Sequence, residues 1–149
     1  YPERLTYAGR LDKDSEGLIL LTNDGDLINA MMRGANRHEK EYIVKTDREI
    51  TPDFLDKMRN GVYLKELDII TRECRIEKTG KYTFQIILTQ GVNRQIRRMC
   101  EACGVKVKAL KRIRVMNILL GDLKPGEWRE ITGEEREQLR RDSGMRKEK

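Results

Sequence analysis

Apolar positions along this chain fall into short runs whose spacing alternates between strand-like and helix-like. Leu18-Ile19-Leu20-Leu21 is continuous and apolar, which predicts a strand covered on both faces and stopped by an Asn23-Asp24-Gly25 turn. Leu27, Ile28, Met31 and Met32 recur at helical spacing, predicting a short helix over 26–33 ended by Gly34. The polar stretch 35–40 then carries Arg37, His38 and Lys40, facing either phosphate or plain solvent. In 41–46, Tyr42 and Val44 share one strand face and Ile43 takes the other. Thr51-Pro52-Asp53 has the chemistry of a helix start, and the helix should bury Phe54, Leu55 and Met58 before Gly61 ends it.

The second half reads as strand material over 62–64 and 67–78, then a hairpin turn at Thr79-Gly80-Lys81 into a strand over 82–89. Phe84, Ile86 and Leu88 share one face of that strand. Asn93 is placed to cap a helix ending at Gly104, with Ile96, Met99, Cys100 and Cys103 as its apolar stripe. Arg94 and Arg98 lie opposite that stripe, and Arg97 sits on its boundary, able to lean back toward the protein. Residues 105–120 read as one basic strand, with Lys106, Lys108, Lys111, Arg112 and Arg114 among apolar residues. Such a face suits a wall tracking an RNA backbone, or a solvated sheet edge blunted by charge. Residues 123–129 form a turn into a short last strand with Trp128 as packing anchor, and Thr132 caps a helix to about Arg141.

Size and charge narrow the picture. At 149 residues one domain is expected. Charged and apolar residues each make up 38%, no run approaches a membrane span, and no signal-peptide pattern opens the sequence, so a cytoplasmic protein is expected. Lysine and arginine total 31 against 25 acids, a net charge of +6 that points to a polyanion, nucleic acid ahead of membrane. Three cysteines argue against a disulfide framework. Cys100 and Cys103 have no second pair, and His38 is the one histidine, so the two thiols read as buried apolar groups rather than zinc ligands.

The candidate chemistry lies ahead of the first apolar run, where Asp12, Asp14 and Glu16 make an acidic loop with Arg10 beside Asp12. A carboxylate fixed on a buried strand next to a cation suits a nucleophile or general base, and equally well an ordinary solvated loop. Three motifs bear on that choice: Gly9-Arg10-Leu11-Asp12 followed by Gly17-Leu18-Ile19-Leu20-Leu21-Thr22-Asn23-Asp24-Gly25, then Lys40-Glu41-Tyr42, then Asn93-Arg94-Gln95-Ile96-Arg97-Arg98-Met99. In this order they resemble the motifs of bacterial ribosomal RNA pseudouridine synthases, the branch holding the small-subunit enzyme A and the large-subunit enzymes B, E and F. The first motif is most similar to the F type.

The resemblance implies a catalytic Asp12, an Arg97 that forms an ion pair with it, and a Tyr42 stacked on the target base. It implies that Arg10 fills the space left by the extruded uridine, and that Lys40, Arg94, Arg98, Lys111 and Arg112 contact RNA. It further implies a mixed α+β fold, a large, bent, mainly antiparallel sheet with flanking helices and a central cleft, with no metal and no cofactor. Ribosomal RNA is the expected partner, a structured transfer RNA the alternative, and a monomer the expected state. Relatives place a domain like that of ribosomal protein S4, and an opening strand, before this point. The chain is therefore expected to be most of a catalytic domain, 1–139, with a charged tail over 140–149. Two other classes remain: a non-catalytic RNA-binding module, and a nuclease holding Mg²⁺ on Asp12, Asp14, Asp24 and Asp26.

Overall fold

A computed structural model describes residues 6–7, 11, 13–22, 25–26, 38–92, 94–125 and 127–142. Asp12, Arg10, Asn93, most of the helix expected over 26–33, and residues 143–149 lie outside the described residues. The strands are β1 (Thr6–Tyr7), β2 (Glu16–Gly17), β3 (Leu21–Thr22), β4 (Lys40–Thr46), β5 (Tyr63–Leu64), β6 (Ile69–Ile70), β7 (Arg75–Gly80), β8 (Thr83–Leu88), β9 (Val107–Val115) and β10 (Ile118–Leu119). Helices α1 (Pro52–Arg59), α2 (Gln95–Ala102) and α3 (Gly133–Asp142) complete the described elements.

The main sheet has the order β10-β9-β4-β8-β7, every neighbouring pair antiparallel, and β2 runs parallel beside β9. This is the α+β, mainly antiparallel architecture expected.

Local chemistry sets the element ends. The Thr51 hydroxyl accepts the Phe54 N–H at 3.1 Å and Pro52 opens α1, leaving Phe54 and Met58 buried. Helix α2 closes in a Schellman arrangement. The Val105 N–H donates to the Cys100 carbonyl at 2.8 Å and the Gly104 N–H to that of Glu101 at 2.9 Å, with Gly104 at φ +78°. Thr132 and Glu135 form a reciprocal capping box for α3, the N–H of each donating to the other's side-chain oxygen.

One core lies between the sheet and helices α1 and α2, uniting Val44, Phe84, Ile86, Leu88 and Leu110 with Phe54, Met58, Ile96, Met99 and Cys100. Phe54 meets Phe84 edge-on at 5.6 Å between centroids. Burial pushes the Cys100 thiol well above its usual range, as expected of an apolar packing group. A smaller core joins Leu18, Val115 and Ile118 to Leu139 of α3. Phe84→Ala empties a fully buried ring site, and unfolding in urea should show a loss of about 3–5 kcal/mol.

Several expectations are corrected. Leu18–Leu21 is not one covered strand: β2 ends at Gly17, Leu18 is buried, and Ile19 and Leu21 are 39% and 53% exposed. Pairing with β9 stops there; beyond it Leu20 packs half-buried against the smaller core, and Leu21 begins β3, which pairs with β1. Residues 105–120 break into a hairpin, with Met116 at φ +54° in the turn between β9 and β10. β9 is no sheet edge, since β4 borders one side and β2 and β10 the other, so its cations divide between faces instead of forming one basic wall. Residues 67–78 likewise divide, β6 ending a ribbon with β5 before β7 begins. Residues 127–130 form no strand, and Trp128 is 72% exposed instead of a packing anchor. Arg140 to Asp142 continue α3 and are not frayed.

Candidate active site

The loop expected to carry the chemistry is tied down on its C-terminal side by a two-residue strand. Glu16 and Gly17 of β2 register against Lys111 and Arg112 of β9. Gly17 has φ +121°, and a Cβ on it would stand 2.2 Å from the Arg112 carbonyl oxygen, so only glycine permits this approach. The Leu18 N–H donates to the Arg112 carbonyl at 2.8 Å, and Arg112 Nε donates back to the Leu18 carbonyl at 2.8 Å.

Arg112 is 1% exposed and also hydrogen-bonds the Tyr42 side chain. Burial draws its pKa down, and Tyr42 offsets part of that effect. Lys40, at the start of β4, is shifted down by burial and by repulsion from Arg112. Two cations and a phenol thus meet beside a cleft with little solvent to screen them.

That cleft has a volume of 460 Å³, within the roughly 300–1,000 Å³ of small-ligand sites. Leu11 and Lys13, the neighbours of Asp12, line it together with Tyr42, Arg112 and the first residues of α2. Leu88, Val92, Ile96 and Leu110 give it apolar walls. Lys13, Lys40, Arg94 and Arg112 are its cations, and among the described lining residues there is no carboxylate.

Asp14 is where the acidic loop meets α2. Its carboxylate accepts from Arg94 Nη1 at 3.0 Å and Nη2 at 2.9 Å, a two-pronged pair. Its backbone carbonyl accepts from Arg97 Nη2 at 2.7 Å. Arg97 is turned inward as the helical spacing predicted, its side chain 13% exposed. Arg97 Nε stands 3.5 Å from Asp14 Oδ2, too far for a good hydrogen bond, and that buried N–H has no acceptor among the described residues. The arginines hold the Asp14 carboxyl down at about 2. A lowered carboxyl pKa stabilises the folded arrangement above the ordinary carboxylate range and loses that effect only as pH falls through about 2, so this contact stays charged at every working pH.

The structure therefore gathers Lys40, Tyr42, Arg94 and Arg112 at one cleft, with Arg97 behind its acidic loop. Arg112 does not project to an RNA backbone as the strand pattern suggested; it is a buried strut beneath the cleft, its guanidinium taken up by the Leu18 carbonyl and the Tyr42 side chain. Lys111 faces a second, more apolar groove with Leu21, Leu120 and Trp128, and Arg98 is half-buried outside the cleft lining. The helix cap is Arg94 itself, at φ 51° and ψ 35° and making no side-chain cap bond, not Asn93. Sequence reasoning passed over Asp14 as a partner for the arginines. Its one signal was an acid two residues past Asp12 in a chain whose helix motif brings two candidate cations.

Residues 1–102 match the family model described as RNA pseudouridylate synthase. The dual-specificity RNA pseudouridine synthase RluF of Escherichia coli (strain K12) is 49% identical over 135 residues, spanning 91% of this chain and 46% of that protein. Ribosomal large subunit pseudouridine synthase E of Vibrio parahaemolyticus is 36% identical over 140 residues, 83% of this chain and 59% of that one. A crystal structure of a pseudouridylate synthase superposes with a TM-score of 0.86 at 31% identity, covering 91% of this chain and 59% of that one. The chain thus spans about half the length of the relatives it matches. With three motifs meeting at one cleft and a family model covering its first two thirds, this chain belongs to the RNA pseudouridylate synthase family.

Proposed function

We propose that this chain is the catalytic part of a pseudouridine synthase acting on ribosomal RNA, that of the large subunit first, with a structured transfer RNA as second candidate substrate. The carrying observation is convergence: the neighbours of Asp12, Tyr42 of the second motif and the start of the third motif all border one cationic cleft with apolar walls. The dual-specificity name of the E. coli relative supports more than one RNA as substrate. Residues 1–139 are read as one catalytic domain working as a monomer in the cytoplasm; among the described residues no helix is long and apolar enough to cross a membrane.

The reaction breaks the bond from uracil N1 to ribose C1′ and forms one from C5 to C1′. C5 loses a proton and N1, which carries none while bonded to the ribose, gains one, so the reaction is an isomerisation and no electrons are exchanged. Asp12 starts it, by attack on C1′ or by taking a ribose proton. Arg97, whose Nε–H has no acceptor among the described residues, would keep that carboxylate charged and oriented. The uridine has to leave its stack, and the apolar walls suit its ring while Lys40 and Arg94 suit its phosphates. Arg10 would fill the vacated space in the RNA. Tyr42, held by Arg112, stacks on the base and assists loss of the C5 proton.

RNA carrying tritium at uridine C5 tests this, because isomerisation releases the label to water. Release should occur with a chelator present. Strand scission that the chelator stops would favour the nuclease instead, and binding without release would favour the RNA-binding module. Tyr42→Phe should lower the single-turnover rate by about 10²-fold, the usual reach of a lost proton-transfer group, with RNA affinity little changed. Full activity in that variant would remove the phenol from the mechanism.

A further inference from the structure

Asp14 is a residue the family reading leaves unused, yet it makes the densest set of described contacts between the acidic loop and α2. Arg94 grips both its carboxylate oxygens, Arg97 donates to its carbonyl, and these bonds join positions 80 and 83 residues apart in sequence. Arg94 is also in left-handed backbone geometry at φ 51°, which residues with a Cβ seldom adopt, and its hold on Asp14 is the described contact that fixes that side chain over the cleft. Downstream, the two-residue β2 is the next described attachment of the loop. In sequence, Asp12 lies two residues before this clamp, between β1, which pairs with β3, and β2.

Resting on the function proposed above, we infer that Asp14 is a positioning residue: by engaging Arg94 and Arg97 together it sets the catalytic loop against α2 and fixes where the Asp12 carboxylate stands relative to the substrate ribose. The physical case is one of geometry rather than strength. Asp14 is half exposed and its ion pair adds little to global stability. Misplacing a reacting group by about 1 Å costs on the order of 10²-fold in rate. A clamp of this kind is thus felt in turnover and hardly at all in unfolding.

The experiment compares wild type with Asp14→Asn, Asp14→Ala and Asp14→Glu on tritiated ribosomal RNA, alongside thermal midpoints and amide exchange over residues 13–18. We expect kcat to fall roughly 10- to 100-fold in Asp14→Asn and further in Asp14→Ala, with KM within about threefold and Asp14→Glu partly restored. The midpoint should hardly move, while exchange over 13–18 speeds up and α1 is unchanged. Wild-type kcat in Asp14→Ala, or a rate loss matched by a drop in melting temperature, would overturn the inference. The exchange arm separates the two claims. Should wild type release no tritium, faster loop exchange in Asp14→Asn would keep the clamp and sink the proposed reaction, whereas unchanged exchange would sink the clamp.

Discussion

Gly17→Ala should abolish most activity, although it adds only one methyl group. The added carbon would lie 2.2 Å from the Arg112 carbonyl oxygen and 2.4 Å from its nitrogen. These are backbone atoms of an interior strand, so no side chain can swing aside to make room. The backbone at φ +121° adds strain of about 1–3 kcal/mol for any residue bearing a Cβ. Relief requires β2 to lift from β9, which breaks the hydrogen bonds of Leu18 with Arg112 in both directions. Arg112 then loses the acceptor of its Nε–H in a buried site, and its contact with Tyr42 loosens. We expect kcat to fall by at least about 10²-fold through displacement of the loop. Unfolding free energy should fall by about 1–3 kcal/mol, whether the strain is kept or is relieved by breaking one or two hydrogen bonds. A Gly17→Ala protein with wild-type turnover would show that β2 does not set the catalytic loop.

The second large effect is expected at Asp12. Asn is nearly the same shape and keeps one acceptor oxygen, but neither attacks a ribose carbon nor takes a proton at neutral pH. Turnover should fall by at least about 10³-fold, as for removal of a central reacting group, while RNA binding stays within a few-fold because the cleft cations are untouched. An equal fall in binding would make Asp12 part of the RNA surface and not of the reaction.

How much of this could be read from the sequence depends on whether the physical cause is local. Thr51-Pro52, the Gly104 stop of α2 and the capping of α3 are governed by residues within a few positions of each other, and they appear as expected. The hairpin forms too, but its turn is Lys81-Tyr82, with Thr79 and Gly80 still in β7. The alternation of Phe84, Ile86 and Leu88 marked the covered face of β8 correctly, all three being buried. Leu18–Leu21 failed because apolar content alone does not reveal how far a strand stays paired. The partner is β9, nearly a hundred residues on, and the contact ends after Leu18. Arg112 failed for the same reason: charge suggested an outward residue, and the groups that bury it, the Leu18 carbonyl and Tyr42, come from segments far away in sequence. Trp128 looked like an anchor by size, but the strand expected around it does not form, and it borders an open apolar groove.

The candidate site was more legible than the fold, through resemblance rather than through spacing. Tyr42, Lys40 and Arg94 border one cleft and Arg97 is turned inward, while the roles that the motifs imply for them stand as proposals. What the sequence did not convey is the service those residues perform for one another. Tyr42 is held by a buried Arg112, and Arg94 and Arg97 converge on Asp14, an acid that by spacing alone read first as a solvated loop residue. These ties join segments 70 to 83 residues apart, which no local pattern encodes.

The most direct measurement of the central claim is a chemical map of pseudouridine in unmodified large-subunit ribosomal RNA after incubation with this protein, wild type beside Asp12→Asn, with no metal added. The account predicts a discrete new pseudouridine with wild type and none with Asp12→Asn. The same pseudouridine formed equally by both proteins would contradict it.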